Sequence, residues 1–232
     1  MSDLLNIGKS GLFASKKSLE TTGHNLANAN TEGYSRQRVS QTNNPPVVKM
    51  GMSHGTGVRI TGVNRLHDPF IEKKLNSTIS DTKYYQSRFT QLDQVQDIFN
   101  ELTNDGLNQI LNRFYNSFRE LANQPENETI RSVVRDNASL VVKDFKRIRE
   151  ALDTAARGID NKLSISVDEV NSKLNLIAKL NKKIASIEGI AGETGDLRDQ
   201  RDLAVRDISD YFKVNVYVDG KGAYNVDAVG VG

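Results

Sequence analysis

From Ala138 to Ile187 apolar residues recur every three or four positions. Ala138, Val141, Phe145, Ile148, Leu152, Ala155, Ile159, Leu163, Val167, Val170, Leu174 and Ile177 keep the rhythm. Leu180, Ile184 and Ile187 resume it after a spacing of three, a stammer in the heptads. Such spacing draws one apolar stripe along an α-helix. Unbroken, the helix covers about 60 residues and about 90 Å, at roughly 1.5 Å per residue. Gly158 is its weak point, costing about 1 kcal/mol against alanine. A helix this long and thin cannot bury its stripe alone, so the rest of the chain must supply partners.

Residues 71–122 offer them. Leu92, Val95, Phe99 and Leu102 step by three and four, as do Leu107, Leu111, Phe114, Phe118 and Leu121. Aromatic residues at these spacings are expected in a core. Asn104-Asp105-Gly106 breaks, bends or phase-shifts the helix between the two sets. Asn123 to Asn127 reads as a turn, with Asn127 placed to cap the long helix. The expected arrangement is an antiparallel bundle, apolar stripes inward and carboxylates on solvated faces.

Beyond the long helix, Glu188 to Gly195 reads as a glycine-containing loop. The run Asp196-Leu197-Arg198-Asp199-Gln200-Arg201-Asp202 then packs charge densely. On a helix Arg198 can pair with Asp202, and Asp202 with Arg206, for about 0.3–0.5 kcal/mol each. Its aspartates drift around a helix among arginines and lack the glycine and terminal glutamate of a calcium loop. No metal is expected there. From Lys213 the pattern turns to β: Val214, Val216 and Val218 alternate, Asp219-Gly220-Lys221-Gly222 is a hairpin turn, and Tyr224 and Val226 start the return strand. A lone hairpin is not independently stable.

At the other end, Leu5, Leu12, Leu19 and Leu26 recur every seven residues, beside a row of small residues at Gly8, Ser15, Thr22 and Ala29. Together they form one narrow helical seam, the geometry of a coiled-coil partner face. The seam has no evident mate in the sequence and reads as half of an interface. A connector follows. Asn43-Asn44-Pro45-Pro46 breaks regular structure, and Val58, Ile60 and Val63 suggest a short strand with Gly62 marking a bulge or close approach. The glycines of 55–62 lack the Gly-Lys-Ser/Thr ending of a phosphate loop.

Composition narrows the function. With 37% hydrophobic and 6% aromatic residues and no Trp, the chain suits thin helices better than a wide core. A net charge of +2 without a basic run argues against nucleic acid and anionic membrane surfaces. No cysteine means no disulfide and no thiolate site. No stretch approaches a membrane span, and the N-terminus lacks the basic-then-apolar pattern of a Sec signal peptide. His24, His54 and His67 have no metal-ligand spacing. No nucleophile elbow or other convergent polar site appears. The chain is not expected to be an enzyme, or to carry a cofactor.

The corner after the first helix is the most specific string. Asn25-Leu26-Ala27-Asn28-Ala29-Asn30-Thr31-Glu32-Gly33-Tyr34-Ser35-Arg36-Gln37 sets three asparagines within six residues, favouring a helix end, and Gly33 can adopt a left-handed stop. Asn25, Ala27, Asn28, Thr31, Gly33 and Tyr34 resemble the N-terminal signature of the bacterial flagellar axial proteins. Arg36-Gln37, the glycine-rich string from Gly55 to Phe70, and Leu197, Asp199, Gln200, Arg201 and Asp202 resemble the hook-associated protein 1 family of hook–filament junction proteins.

The resemblance implies a mainly α fold. It comprises an N-terminal coiled-coil helix and corner (1–37), a connector with short strands (38–70), an elongated antiparallel helical bundle (71–212) and the start of a β-rich outer domain (213–232). It implies a longer parent chain, whose C-terminal helix pairs with the first. It also implies a structural role in an extracellular flagellum, joining hook to filament. Copies would form a ring of about eleven between hook protein and hook-associated protein 3. Delivery would be through the flagellar type III export apparatus with an export chaperone. Two other readings stand beside it: another axial protein such as hook or distal rod, and a non-flagellar coiled-coil binding module or secretion chaperone.

Overall fold

The computed structural model describes residues 2–99, 106–192, 194–220 and 222–229. It is 69% helical, with a few short strands, so the chain is mainly α as expected. In order the elements are α1 (Ser2–Ala27), β1 (Gln37–Asn43), β2 (Val47–Lys49), β3 (Met52–His54), β4 (Val58–Arg65), α2 (Pro69–Phe99), α3 (Leu107–Asn123), α4 (Glu128–Ala191), α5 (Gly195–Ser209), β5 (Val214–Val218) and β6 (Tyr224–Ala228). Two compact units result: Met1–Thr82 with Glu169–Gly232, and Lys83–Asp168.

In the first unit β1 and β4 pair antiparallel, Gln37 opposite Arg65 and Asn43 opposite Val58. The register slips between Ser40 and Gln41, where Thr61 is the extra residue beside Gly62. β2 and β3 form a second, shorter hairpin. Helix α1 lies against β1 and β4. It docks through its small side: Ala14 and Thr21 are buried, and Ser10 Oγ accepts the Val58 N–H at 3.2 Å. Ser18, Thr21 and Thr22 return their hydroxyls to carbonyls one turn back, which satisfies them without a partner.

The core of this unit is Ile177 of α4 with Ala204, Val205 and Ile208 of α5. Phe212, Val214, Val216, Tyr224 and Val226 close over it. The β5–β6 hairpin therefore rests on the helices that precede it, which supplies the support a lone hairpin lacks.

In the second unit, Ile130, Val134 and Ile148 of α4 are buried. Asn127 caps α4 by accepting the Thr129 N–H at 3.0 Å. The expectation that the apolar stripes form a closed core is corrected here. Leu107, Leu111, Phe114 and Leu121 are only half-buried, and Leu92, Phe99, Phe118, Phe145 and Leu163 are exposed. Three thin helix segments cover only part of one another's stripes, since each stripe spans about 100° or more. Leu102, Asn104 and Asp105 lie outside the described residues; Gly106 is the extended N-cap residue just before α3.

The long helix is continuous through Gly158 and runs to Ala191. The loop expected from Glu188 to Gly195 is shorter than read: Glu188 lies inside α4, and α5 starts at Gly195. Glu188 is held there because Arg198 grips it through two hydrogen bonds, 2.8 and 2.6 Å.

Candidate functional site

The corner is built around the side chain of Asn25. Its Oδ1 accepts the Gln37 N–H at 2.8 Å and the Tyr34 hydroxyl at 2.8 Å, and its Nδ2 donates to the Gln37 carbonyl at 2.9 Å. The amide thus pairs with Gln37 as a strand would, fixing where the chain re-enters the sheet. Asn28 Nδ2 donates to the His24 carbonyl, and Asn28 Oδ1 accepts from Thr31 Oγ1 at 3.2 Å. These bonds replace the helical ladder after Ala27, the last helical residue. Gly33 does not end the helix, as its glycine suggested; it closes the turn six residues later at φ +77°. A Cβ there would sit 3.2 Å from Leu203 Cβ, so this glycine also allows the corner to approach α5. Arg36 is exposed, its carbonyl accepting the Leu66 N–H at 2.8 Å.

Helix α5 meets the corner with three carboxylates. Asp196 takes Gln37 Nε2 at 2.6 Å and lies 3.2 Å from His24 Nε2. Asp199 takes the Ser35 backbone N–H at 2.8 Å and Arg65 Nη1 at 2.9 Å. Asp202 takes the same Arg65 nitrogen at 2.5 Å. The Arg65 side chain is 4% exposed and both aspartates 7%. Burial alone would lower the Arg65 pKa, but Asp202 and then Asp199 hold it above its ordinary value. Burial, then the charges of Asp196 and Asp199, push the Tyr34 phenol upward.

Two expectations for this run are corrected. It is not a solvated face: Asp199, Arg201 and Asp202 are buried. The pairs expected within α5 are also not those it makes, because these side chains reach partners elsewhere. Arg198 goes to Glu188, Asp202 to Arg65, and Arg206 to Glu72 at 2.9 Å. Arg201 turns the other way. It donates to Asn181 Oδ1 at 2.8 Å and to the Gly222 carbonyl at 2.9 Å, with its guanidinium 3.5 Å from the Tyr224 ring centre. Leu197 is half-buried, and Gln200 is exposed beside the corner. Arg65 and Asp196 lay in strings read from the sequence, but neither they nor Ser35 were assigned to the corner; the signal was an arginine closing a β-strand and an acid-rich helix far along the chain.

The seam is a different surface. Leu5, Leu12, Leu19 and Leu26 are 71–77% exposed, on the side of α1 away from β1 and β4. Gly8, Ser15, Thr22 and Ala29 are exposed too. Among the described residues no cluster suits a metal ion, and no helix is long and apolar enough to cross a membrane. The site's chemistry is that of a joint, with one docked face and one open apolar row.

Comparison with known proteins agrees with this geometry. Residues 92–231 match the flagellar hook-associated protein FlgK helical domain, and residues 5–34 match the flagella basal body rod protein family. The chain is 36% identical to flagellar hook-associated protein 1 of Bacillus subtilis (strain 168), over 95% of this chain and 44% of that protein. It is 28% identical to the Escherichia coli (strain K12) protein of the same name, over 97% and 42%. It therefore spans less than half the length of these curated relatives, which are named as flagellar hook-associated proteins and not as enzymes. The solved flagellar hook junction protein FlgK from Burkholderia pseudomallei superposes with a TM-score of 0.61 at 23% identity, covering 67% of this chain and 27% of that one, a likeness of fold. A family model that covers more than half of the residues, and a corner and helix that hold together as one joint, place this chain in the flagellar hook-associated protein FlgK family.

Proposed function

We propose that this chain is part of a structural component of the bacterial flagellum that joins hook to filament. The observation that carries the reading is the exposed leucine row on a helix whose opposite face is docked. Such a helix is held in place by its own chain and offers one narrow apolar seam to another helix. Copies would pack side by side in a ring of about eleven, each contact repeating head to tail. Hook protein would lie on one side and hook-associated protein 3 on the other. The seam would pair with a C-terminal helix of the longer protein. Before assembly the N-terminal region would travel unfolded through the export apparatus with its chaperone, and packing against neighbours would offset its ordering entropy.

The test is deletion of the gene, followed by electron microscopy of the appendages and assay of flagellin in the medium. Bare hooks with flagellin shed into the medium are expected. Missing hooks would instead assign the chain to the hook or rod, and normal filaments would sink the axial role.

A further inference from the structure

The connector carries charges that neither the corner nor the seam uses. The chain has 29 acidic residues in 232, yet none falls between Gly33 and His67. The same stretch holds Arg36, Arg38, Lys49, Arg59 and Arg65. Arg65 draws its carboxylates, Asp199 and Asp202, from α5. Arg36, Arg38 and Arg59 are exposed, and among the described residues none of the three has a carboxylate partner.

The β1–β4 pairing gathers two of these arginines on one face. Residues directly opposite each other in an antiparallel ladder share a side of the sheet. Arg38 lies opposite Asn64, Ser40 opposite Gly62, and Thr42 opposite Arg59. The bulge at Thr61 arranges this, because without its extra residue alternation would turn Arg59 to the other side. Val39, Val58 and Val63 occupy that other side and are half-buried, so it is the side that α1 covers. Arg38 and Arg59 stand about 13 Å apart along the strands, at roughly 3.3 Å per residue. Between them the polar groups are spent on one another. Asn64 Nδ2 donates to Ser40 Oγ at 3.2 Å, and Thr61 Oγ1 donates to the Ser40 carbonyl at 3.1 Å. What this face has left to offer is two guanidinium forks, which carry positive charge and donors only.

We propose that this face of the β1–β4 sheet docks on an acidic protein surface of a neighbouring subunit, Arg38 taking one carboxylate and Arg59 another. A guanidinium meets a carboxylate through two parallel hydrogen bonds, so each arginine sets orientation as well as attraction. Two such points about 13 Å apart also fix the register of the contact. The acid-free stretch leaves the attraction directed outward, where a carboxylate on the same strands would have neutralised it. An anionic membrane calls for a denser field of cations, on the order of four to eight, and a nucleic acid for a comparable row of phosphate contacts. The inference rests on the assembly reading above and adds to it the chemistry of one contact.

The full-length protein with Arg38→Lys and Arg59→Lys is made in cells, and their flagella are isolated and treated with a carbodiimide. The reagent joins an amine to a carboxylate in direct contact as an amide, and the water lost converts the reagent to its urea. Mass spectrometry should find position 38 or 59 linked to an aspartate or glutamate of another subunit. The parent protein, whose guanidinium groups do not react, should give no link at either position. Links only within one chain, or none in flagella that contain the variant, would overturn the inference and leave the assembly reading standing. Separately, Arg38→Glu with Arg59→Glu should lower incorporation at least tenfold while the purified protein keeps the parent's unfolding midpoint. Incorporation of that variant at the parent's level would also overturn the inference. Absence of the parent protein from isolated flagella would overturn both readings.

Discussion

Arg65 and Asp199 meet at 2.9 Å although 134 residues separate them, and the second oxygen of Asp199 holds the backbone of Ser35. One buried carboxylate thus fixes both the end of β4 and the exit from the corner. Asp199→Ala leaves Arg65 with less than its full countercharge and the Ser35 N–H without its acceptor. Removing one partner of a buried pair costs about 3–5 kcal/mol. Urea unfolding of the chain should show a loss of that size. Asp199→Asn, which keeps an acceptor for Ser35, should lose less. A loss below about 1 kcal/mol for the alanine variant, the scale of a surface pair, would mean the cluster does not hold the corner.

Docking of α1 depends on Gly57. Its φ is +93°, and an added Cβ would overlap Ser10 Oγ and stand 3.4 Å from Ile7 Cα. Gly57→Ala should cost about 1–2 kcal/mol for the backbone alone, with the overlap added. The Val58 amide, which donates to Ser10 Oγ, should exchange with solvent faster as α1 lifts. Adding Ser10→Ala should recover the overlap but not the backbone cost. An unchanged Val58 exchange rate in Gly57→Ala would contradict this account.

Acid should loosen the junction of α4 and α5. The hydrogen bonds from Arg198, with lesser help from Thr194, hold the Glu188 carboxyl at about 2, against an ordinary value of 4.5. A depressed carboxylate contributes stability that is fully present above its unfolded pKa and is lost as pH falls through its folded one. The window therefore runs from about pH 4.5 down to about pH 2. Glu188→Gln should flatten the pH dependence of thermal unfolding in that window and change little of it above pH 5. Equal slopes in both proteins would remove Glu188 as the cause.

Leu12 and Leu19 are 71% and 74% exposed, so a charge at either position meets no packed neighbour within the chain. Leu12→Asp and Leu19→Asp should leave the unfolding midpoint within about 0.5 kcal/mol of the parent, as surface substitutions do. They should nevertheless abolish incorporation into flagella. Filaments of normal number and length in either mutant would show that the seam is not an assembly surface.

The elements were largely legible in the sequence because periodicity is local. The three–four rhythm gave α4 through Gly158, alternation gave β5 and β6, and Asn127 marked the start of α4. The corner was legible as a motif but not as a mechanism. Nothing near Asn25 says that its amide will pair with the backbone of Gln37. The charges were read wrongly for the same reason. Spacing within α5 favoured pairs between Arg198, Asp202 and Arg206, but Arg65, Glu72 and Glu188 come from other elements and win because burial strengthens their pairing. Partner choice for a charge is a tertiary fact, and local spacing does not carry it.

Asp199 and Arg201 stand two residues apart on α5, about 200° round a helix. The first grips the corner and the second grips the β5–β6 hairpin. Beside them on the same helix, Asp202 pairs with Arg65 and also bonds Tyr224 of the hairpin. A pull on the corner therefore reaches the hairpin both through the body of α5 and through this side-chain bridge, and the reverse is equally true. The helix serves as an axle between two fittings with a strut beside it, and the stiffness of both sets how faithfully a displacement at one is delivered to the other.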